Sequence, residues 1–274
     1  MRQAIRFCAM RNNGPMADQD RSHPRDFVAS LEKGLKVLLC FERKRSKLNL
    51  SEVARLTGYT PATARRLLMT LQELDYLHGD GKRFWVAPRT LLLARPYLMS
   101  RPAPQLAQPV LDTLADRTRQ SASLGLLLDQ EVLIIARSTA RRTLSTGLGI
   151  GSRLPAFCSA IGRAVLSTLP RADVARYLAA TPLESYTPLT VRDVASATEQ
   201  VEHCRIYGWA ECDEELELGV RSIAVPISSF PDKTIAAVSL SVRAERMTMN
   251  AFRQTHLAAI REARDELKAT VNFD

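Results

Sequence analysis

The chain has 274 residues, of which 46% are hydrophobic and 24% charged, with a formal net charge of +9. Two domains of ordinary size fit that length, and no apolar run approaches membrane-spanning length. The positive excess is one-sided: residues 1–101 hold 19 Lys/Arg against 9 Asp/Glu, while residues 102–274 hold 19 against 20, so phosphate binding belongs to the first part alone.

Residues 1–26 read as a disordered leader. Ile5 to Met10 is too short for the apolar core of a signal peptide, Asn12-Asn13-Gly14-Pro15 breaks any helix, and Met16, which opens a more typical polar leader, is an alternative to Met1 as the start of translation. A helix carrying Leu31, Leu35, Leu38 and Leu39 is expected to complete a small core. Asn49 and Glu52 then form a capping-box start for a helix beginning near Leu50, with Val53, Ala54 and Leu56 inward and Gly58 just past its end. Thr60 is the next N-cap and Pro61 takes the first helical position, where its missing N–H is harmless. Ala64, Leu67, Leu68, Leu71 and Leu74 make one buried stripe, opposite Ala62, Thr63, Arg65, Arg66, Met69 and Thr70. An apolar back and a Thr/Arg front, entered by a tight turn, is a helix-turn-helix over 49–72, the bland alternative being an αα-hairpin. Short apolar runs at Tyr76–His78 and Arg83–Val86 flank Gly79-Asp80-Gly81-Lys82, which predicts a hairpin. That hairpin, 76–87, is a wing that lays Lys82 and Arg83 on the DNA backbone, and 27–87 is a mainly α winged helix-turn-helix. DNA contact is expected from Thr60, Pro61, Ala62, Thr63, Arg65, Arg66, Thr70, Lys82 and Arg83.

Residues 88–103 are a helical linker in which Leu91, Leu92, Leu93, Tyr97 and Leu98 need a partner and Pro96 kinks or interrupts the helix. Pro102 and Pro104 mark a second break before a helix from about Gln105 to Thr118. From Ser121 on, strands are expected at 121–128, 132–136, 144–150, 209–212, 223–227 and 235–242, with turns at Asp129-Gln130 and Phe230–Lys233. Helices are expected at 159–169, 173–180, 194–207 and 250–270. Hairpin-joined strands with helices packed on them make residues 104–274 an α+β domain. Five cysteines, odd in number and without CxxC spacing, and four scattered histidines fit reduced thiols in the cytoplasm. A metal site from His203, Cys204 and Cys212 is outweighed by buried or incidental residues, and no cofactor is expected.

Alternation places Ala237, Ser239 and Ser241 on one strand face, and Ser222 and Ala224 on one face of the likely neighbour. That wall of Ser and Ala is either solvent-facing or one side of a ligand pocket. GSRLPAFCSAIGRAVL favours the pocket: a helix starting near Ser159 leaves the N–H groups of Ser159, Ala160, Ile161 and Gly162 open to a carboxylate. Arg137, Arg141 and Arg142 are candidate counter-charges, Phe157 a candidate apolar wall, and the acidic run Glu211–Glu217 either a solvated loop or a lid. No GxSxG, P-loop, GxGxxG or HExxH is present, so binding without chemistry is the better reading.

These stretches resemble the IclR family of bacterial transcriptional regulators over almost all of residues 27–270, through LSEVARLTGYTPATARRLLMTLQELDYL, DGKRFWVAPRTLLL, GSRLPAFCSAIGRAVL, DEELELGVRSIAVPI and AAVSLSV. LTGYTPATARRLL, DGKRFW, LAQPVLD, SASL and DEELELG resemble the branch that controls protocatechuate, 4-hydroxybenzoate and β-ketoadipate catabolism. The resemblance implies a GAF-like effector-binding domain, a dimer-of-dimers assembly and palindromic promoter sites. It places effector contacts near Ala160 and Gly162 and on Ser222, Ser239 and Ser241. Cys212 stands where some members carry a carboxylate, with Asp213 next to it, and Ser222 replaces a cysteine of some relatives. The expected function is an effector-responsive transcription factor, whose effector is β-ketoadipate, 4-hydroxybenzoate or protocatechuate. The competing classes are a regulator of another carboxylate pathway, an enzyme that uses its winged helix for assembly, and a constitutive DNA-architectural protein.

Overall fold

The computed structural model describes residues 25–41, 45–100, 102–139, 148–228 and 235–270, in two units that divide between residues 100 and 101. The expected leader up to residue 24, including Met16, lies outside the described residues, as do Arg141, Arg142 and the turn expected at Phe230–Lys233.

The first unit runs α1 (Ala29–Leu38), β1 (Leu48–Asn49), α2 (Leu50–Thr57), α3 (Pro61–Glu73), β2 (Leu77–Gly79), β3 (Arg83–Val86), a 3-10 turn at Pro88–Thr90 and α4 (Leu91–Ser100). The predicted capping box forms: Asn49 Oδ1 accepts from the Glu52 N–H at 2.9 Å, and Glu52 Oε2 accepts from the Asn49 N–H at 2.7 Å. Gly58 ends α2 at φ +74°, a conformation that costs a glycine nothing. Thr60 caps α3 through the Thr63 N–H, with Pro61 in the first turn. Val37, Leu48, Val53, Ala54, Ala64, Leu68, Leu71 and Leu77 form the core.

Leu67 is only half-buried, and Leu74 is exposed because it caps α3 instead of continuing its stripe. In α1 only Leu38 of the four expected residues packs against the core, and it is partly buried. Val37 is buried, whereas Leu31, Leu35 and Leu39 are 63%, 48% and 66% exposed. Periodicity identified an apolar face, but a helix with apolar residues on two sides does not say which one faces inward. Pro96 does not interrupt α4. In the wing β2 pairs with β3 at Leu77↔Val86 and Gly79↔Phe84, and β1 adds an unexpected third strand at Leu48↔Phe84. The wing tip turns on Gly81, and the Asp80 carboxylate accepts the Lys82 and Arg83 N–H groups, which hold it below the usual carboxylate range.

The second unit contains α5 (Pro102–Thr118), β4 (Ser121–Leu128), β5 (Glu131–Ser138), β6 (Arg153–Pro155), α6 (Ala160–Leu166), α7 (Arg171–Ala180), α8 (Val194–Tyr207), β7 (Ala210–Asp213), β8 (Val220–Ser228), β9 (Ile235–Arg243) and α9 (Met249–Thr270). The strands make one antiparallel sheet in the order β6-β5-β4-β9-β8-β7. Leu124, Ile223, Val225, Val238, Leu240 and Val242 on one face pack against α5 and α9. Val132, Ile134, Ala224 and Ala237 on the other meet α6, with α7 and α8 beyond. This is the α+β architecture expected. Pro102 and Pro104 start α5 rather than break the chain before it, because a first turn has no N–H bond to lose. Pro109 lies inside α5, carried by the buried Ala107, Val110, Leu111 and Leu114 on either side. Of the strand expected at 144–150, residues 140–147 lie outside the described residues and 148–150 are not extended. The third strand is β6 instead, reached through a turn in which Gly151 takes φ +86° and its N–H bonds Ile134 O at 2.8 Å.

Candidate functional site

The α3 helix presents the surface that its sequence pattern announced. Pro61, Ala62, Arg65, Arg66, Met69 and Thr70 are exposed and Thr63 half-exposed, while Ala64, Leu68 and Leu71 are buried behind them. Two threonine hydroxyls are partly engaged: Thr60 donates to Thr63 Oγ1 at 3.0 Å, and Thr70 to the Arg66 carbonyl at 2.8 Å. The Thr70 oxygen stays open as an acceptor, whereas the Thr60 oxygen accepts the Thr63 N–H as the cap of α3. Lys82 and Arg83 are exposed on the wing. Lys47, which sequence reasoning missed, sits 4.6 Å over the Trp85 ring and extends the basic surface beside the wing. Only the unexpected β1 strand brings it there.

The serine wall forms as alternation predicted. Ser222 lies opposite Ser241 and Ala224 opposite Ser239 on β8 and β9, and the Ser222 and Ser241 hydroxyls bond at 2.9 Å. The register adds two residues the sequence reading did not name: β4 sets Ser121 opposite Ser241 and Ser123 opposite Ser239. Arg137 on β5 reaches the same face, donating from Nη1 to Ser123 Oγ at 2.6 Å, and burial lowers its pKa from the ordinary value. Five neighbouring positions thus carry hydroxyls, with a partly desolvated guanidinium at one side. At the other side Cys212 Sγ bonds the Cys158 carbonyl at 3.2 Å, so the turn before α6 lies over β7. Burial pushes the Cys212 thiol up to about 11. Phe157 is buried and tilts against Tyr186, ring centroids 6.4 Å apart.

Four of the expected effector contacts also have structural roles of their own. Ser159 is a genuine N-cap, but its Oγ accepts the Gly162 N–H at 3.2 Å and donates to Pro155 O at 2.7 Å, so one of the four donors expected to be open is already used. Gly162 has a packing reason: a Cβ there would lie 2.3 Å from Ala156 Cα. Ala160 is buried in the first turn beside it. Asp213 alternates away from Cys212 and pairs with Arg221 at 2.6 Å, on the face opposite the serines.

The acidic run is neither a solvated loop nor a free lid. Glu211 pairs with Arg253 at 3.0 Å, Glu214 with Arg221 at 3.4 Å, and Glu215 with Arg163 at 2.6 Å. Burial raises the Glu211 pKa, and Arg253 partly offsets that. Arg163 is fully buried in α6 and forks onto both Glu215 oxygens, while its Nε and Nη1 bond the Phe157 and Glu211 carbonyls. The Glu215 carbonyl in turn accepts from Thr187 and Thr190. One arginine inside the apolar run AIGRAVL was the available signal, because a charge in such a place needs a partner.

Residues 30–81 match the IclR helix-turn-helix domain, and residues 96–269 match the C-terminal domain of the bacterial transcriptional regulator IclR. The chain belongs to the IclR family. It is a DNA-binding transcriptional regulator rather than an enzyme, as its IclR-family relatives are. It is 35% identical to the Pca regulon regulatory protein of Pseudomonas putida, across 88% of this chain and 84% of that one. It is 33% identical to the p-hydroxybenzoate hydroxylase transcriptional activator of Acinetobacter baylyi, across 90% and 93%. The crystal structure of a transcriptional regulator from Rhodococcus sp. RHA1 shares the fold with a TM-score of 0.75 at 34% identity, covering 89% of this chain and 98% of that one. Among the described residues no helix is long and apolar enough to cross a membrane.

Proposed function

We propose that this IclR-family regulator controls genes of aromatic-acid catabolism in the cytoplasm. It binds a palindromic operator as a two-fold assembly and responds to a small carboxylate. The observation that carries the DNA half is the front of α3, where Arg65 and Arg66 stand exposed above a fully apolar back. Thr60, Pro61, Ala62, Thr63 and Thr70 line the same front, and Lys82 and Arg83 follow the backbone from the wing. The effector half is supported by the serine wall with Arg137 at its edge, a face of donors suited to a carboxylate. Relatives named for the Pca regulon and for p-hydroxybenzoate hydroxylase point to β-ketoadipate, 4-hydroxybenzoate or protocatechuate.

Operator binding by Arg65→Ala and Arg66→Ala, measured by fluorescence anisotropy across salt concentrations, tests the first half. Loss of a base contact costs ~1–3 kcal/mol and relaxes preference at one base pair. Loss of a phosphate contact weakens every sequence alike and flattens the salt slope. Wild-type affinity in both variants would overturn the assignment. Thermal shift with the three acids tests the second half, since a ligand stabilises the state that binds it. A saturable shift that disappears in Ser239→Ala/Ser241→Ala is expected; an unchanged shift in that variant puts the pocket elsewhere.

A further inference from the structure

Ser121 opens β4 on the serine face and is 1% exposed, yet its Oγ has no hydrogen-bond partner. Of the other hydroxyls on this face, Ser222 bonds Ser241 and Ser123 accepts from Arg137. A buried hydroxyl left unbonded is costly, and folded proteins rarely keep one without a reason. Here strand alternation aims it at the same face as Ser123, two residues further along β4, which sets the two positions about 7 Å apart.

The two positions differ in charge. At Ser123 stands the Arg137 guanidinium, partly withdrawn from water. Among the described residues, Ser121 has the neutral, mutually bonded Ser241 and Ser222 as its neighbours across the face. A carboxylate is compensated at the first position. At the second, a charged group would lose its hydration for a single hydroxyl, whereas a neutral hydroxyl gains a partner and gives one. The separation is that from a carboxylate across one benzene ring to its para substituent.

We propose that Ser121 is a specificity-determining residue of the effector pocket, bonding the hydroxyl para to an aromatic carboxylate anchored at Arg137. The inference rests on the effector reading above and narrows it. It selects a para-hydroxylated aromatic acid over a flexible diacid, whose second charge Ser121 does not balance.

The test is calorimetry on the full chain and on Ser121→Ala with 4-hydroxybenzoate, benzoate, 3-hydroxybenzoate and β-ketoadipate. The wild type should favour 4-hydroxybenzoate over benzoate by about tenfold, the equivalent of one buried hydrogen bond. Ser121→Ala should bring 4-hydroxybenzoate down to the level of benzoate and leave benzoate itself unchanged. Its ligand-free Tm should equal or exceed that of the wild type, because the change removes an unbonded hydroxyl. A para preference retained by the variant overturns the proposal, as does a lowered ligand-free Tm, which would show the hydroxyl to be a structural partner. Wild-type binding of β-ketoadipate alone overturns Ser121 as the determinant while leaving the effector reading intact. Binding of none of the four acids, nor of protocatechuate, means that the effector reading has failed and takes this inference with it.

Discussion

A single arginine organises more of the second unit than any residue that sequence patterns picked out. Arg163 joins α6 to the β7–β8 loop by its fork onto Glu215, and Glu215 joins that loop to the segment holding Thr187, Thr190 and Val191. Taking both charges out of water is expensive, so the pair adds little net stability while intact. Its loss is another matter, because the surviving partner is stranded. Arg163→Ala should therefore destabilise the protein by about 3–5 kcal/mol in urea unfolding, whereas Arg163→Met together with Glu215→Leu should cost much less. Equal losses in the single and double variants would mean that packing, and not the charge pair, holds the loop.

Local chemistry decided which elements were legible in advance. Both helices of the helix-turn-helix came out of Asn49, Glu52, Gly58, Thr60 and Pro61 because caps act over three or four residues and need no knowledge of the fold. The serine wall was legible for a related reason: alternation within one strand fixes its face. What alternation cannot provide is the neighbour, and so Ser121, Ser123 and β1 entered only with the register. The same limit turned three of the four α1 leucines outward, misplaced the third strand, and left the acidic run without its arginines, which come from β8, α6 and α9. Because the α2 cap is local, its loss should be local too. Asn49→Ala should cost about 1 kcal/mol and weaken operator DNA through a less ordered α2, with effector binding by the second unit unchanged. A stability loss near zero would show that the β1–β3 pairing holds the helix start without its cap.

The DNA-binding unit carries more exposed apolar surface than a soluble unit of its size ordinarily keeps. On α1, Leu31, Leu35 and Leu39 recur every fourth residue, with Phe27 one step earlier; on α4, Leu91, Leu92 and Leu93 are exposed together. Contiguous apolar faces of this kind mark interaction sites. A single recognition helix reads few base pairs, and regulators of this design gain affinity by presenting two, to half-sites about one helical turn or a multiple apart. We propose that α1 and α4 supply the contact between two copies of the chain. Linking two weakly binding modules raises affinity without any new DNA contact. Leu31→Glu with Leu35→Glu should therefore leave the fold intact, since both side chains are already in water, yet shift sedimentation at micromolar concentration toward the monomer. Operator affinity should fall by about a hundredfold, while binding to an isolated half-site stays at the wild-type level. A wild type that sediments only as a monomer, with and without operator DNA, would defeat the two-fold assembly outright. A variant that assembles normally would place the contact on other surfaces of the chain.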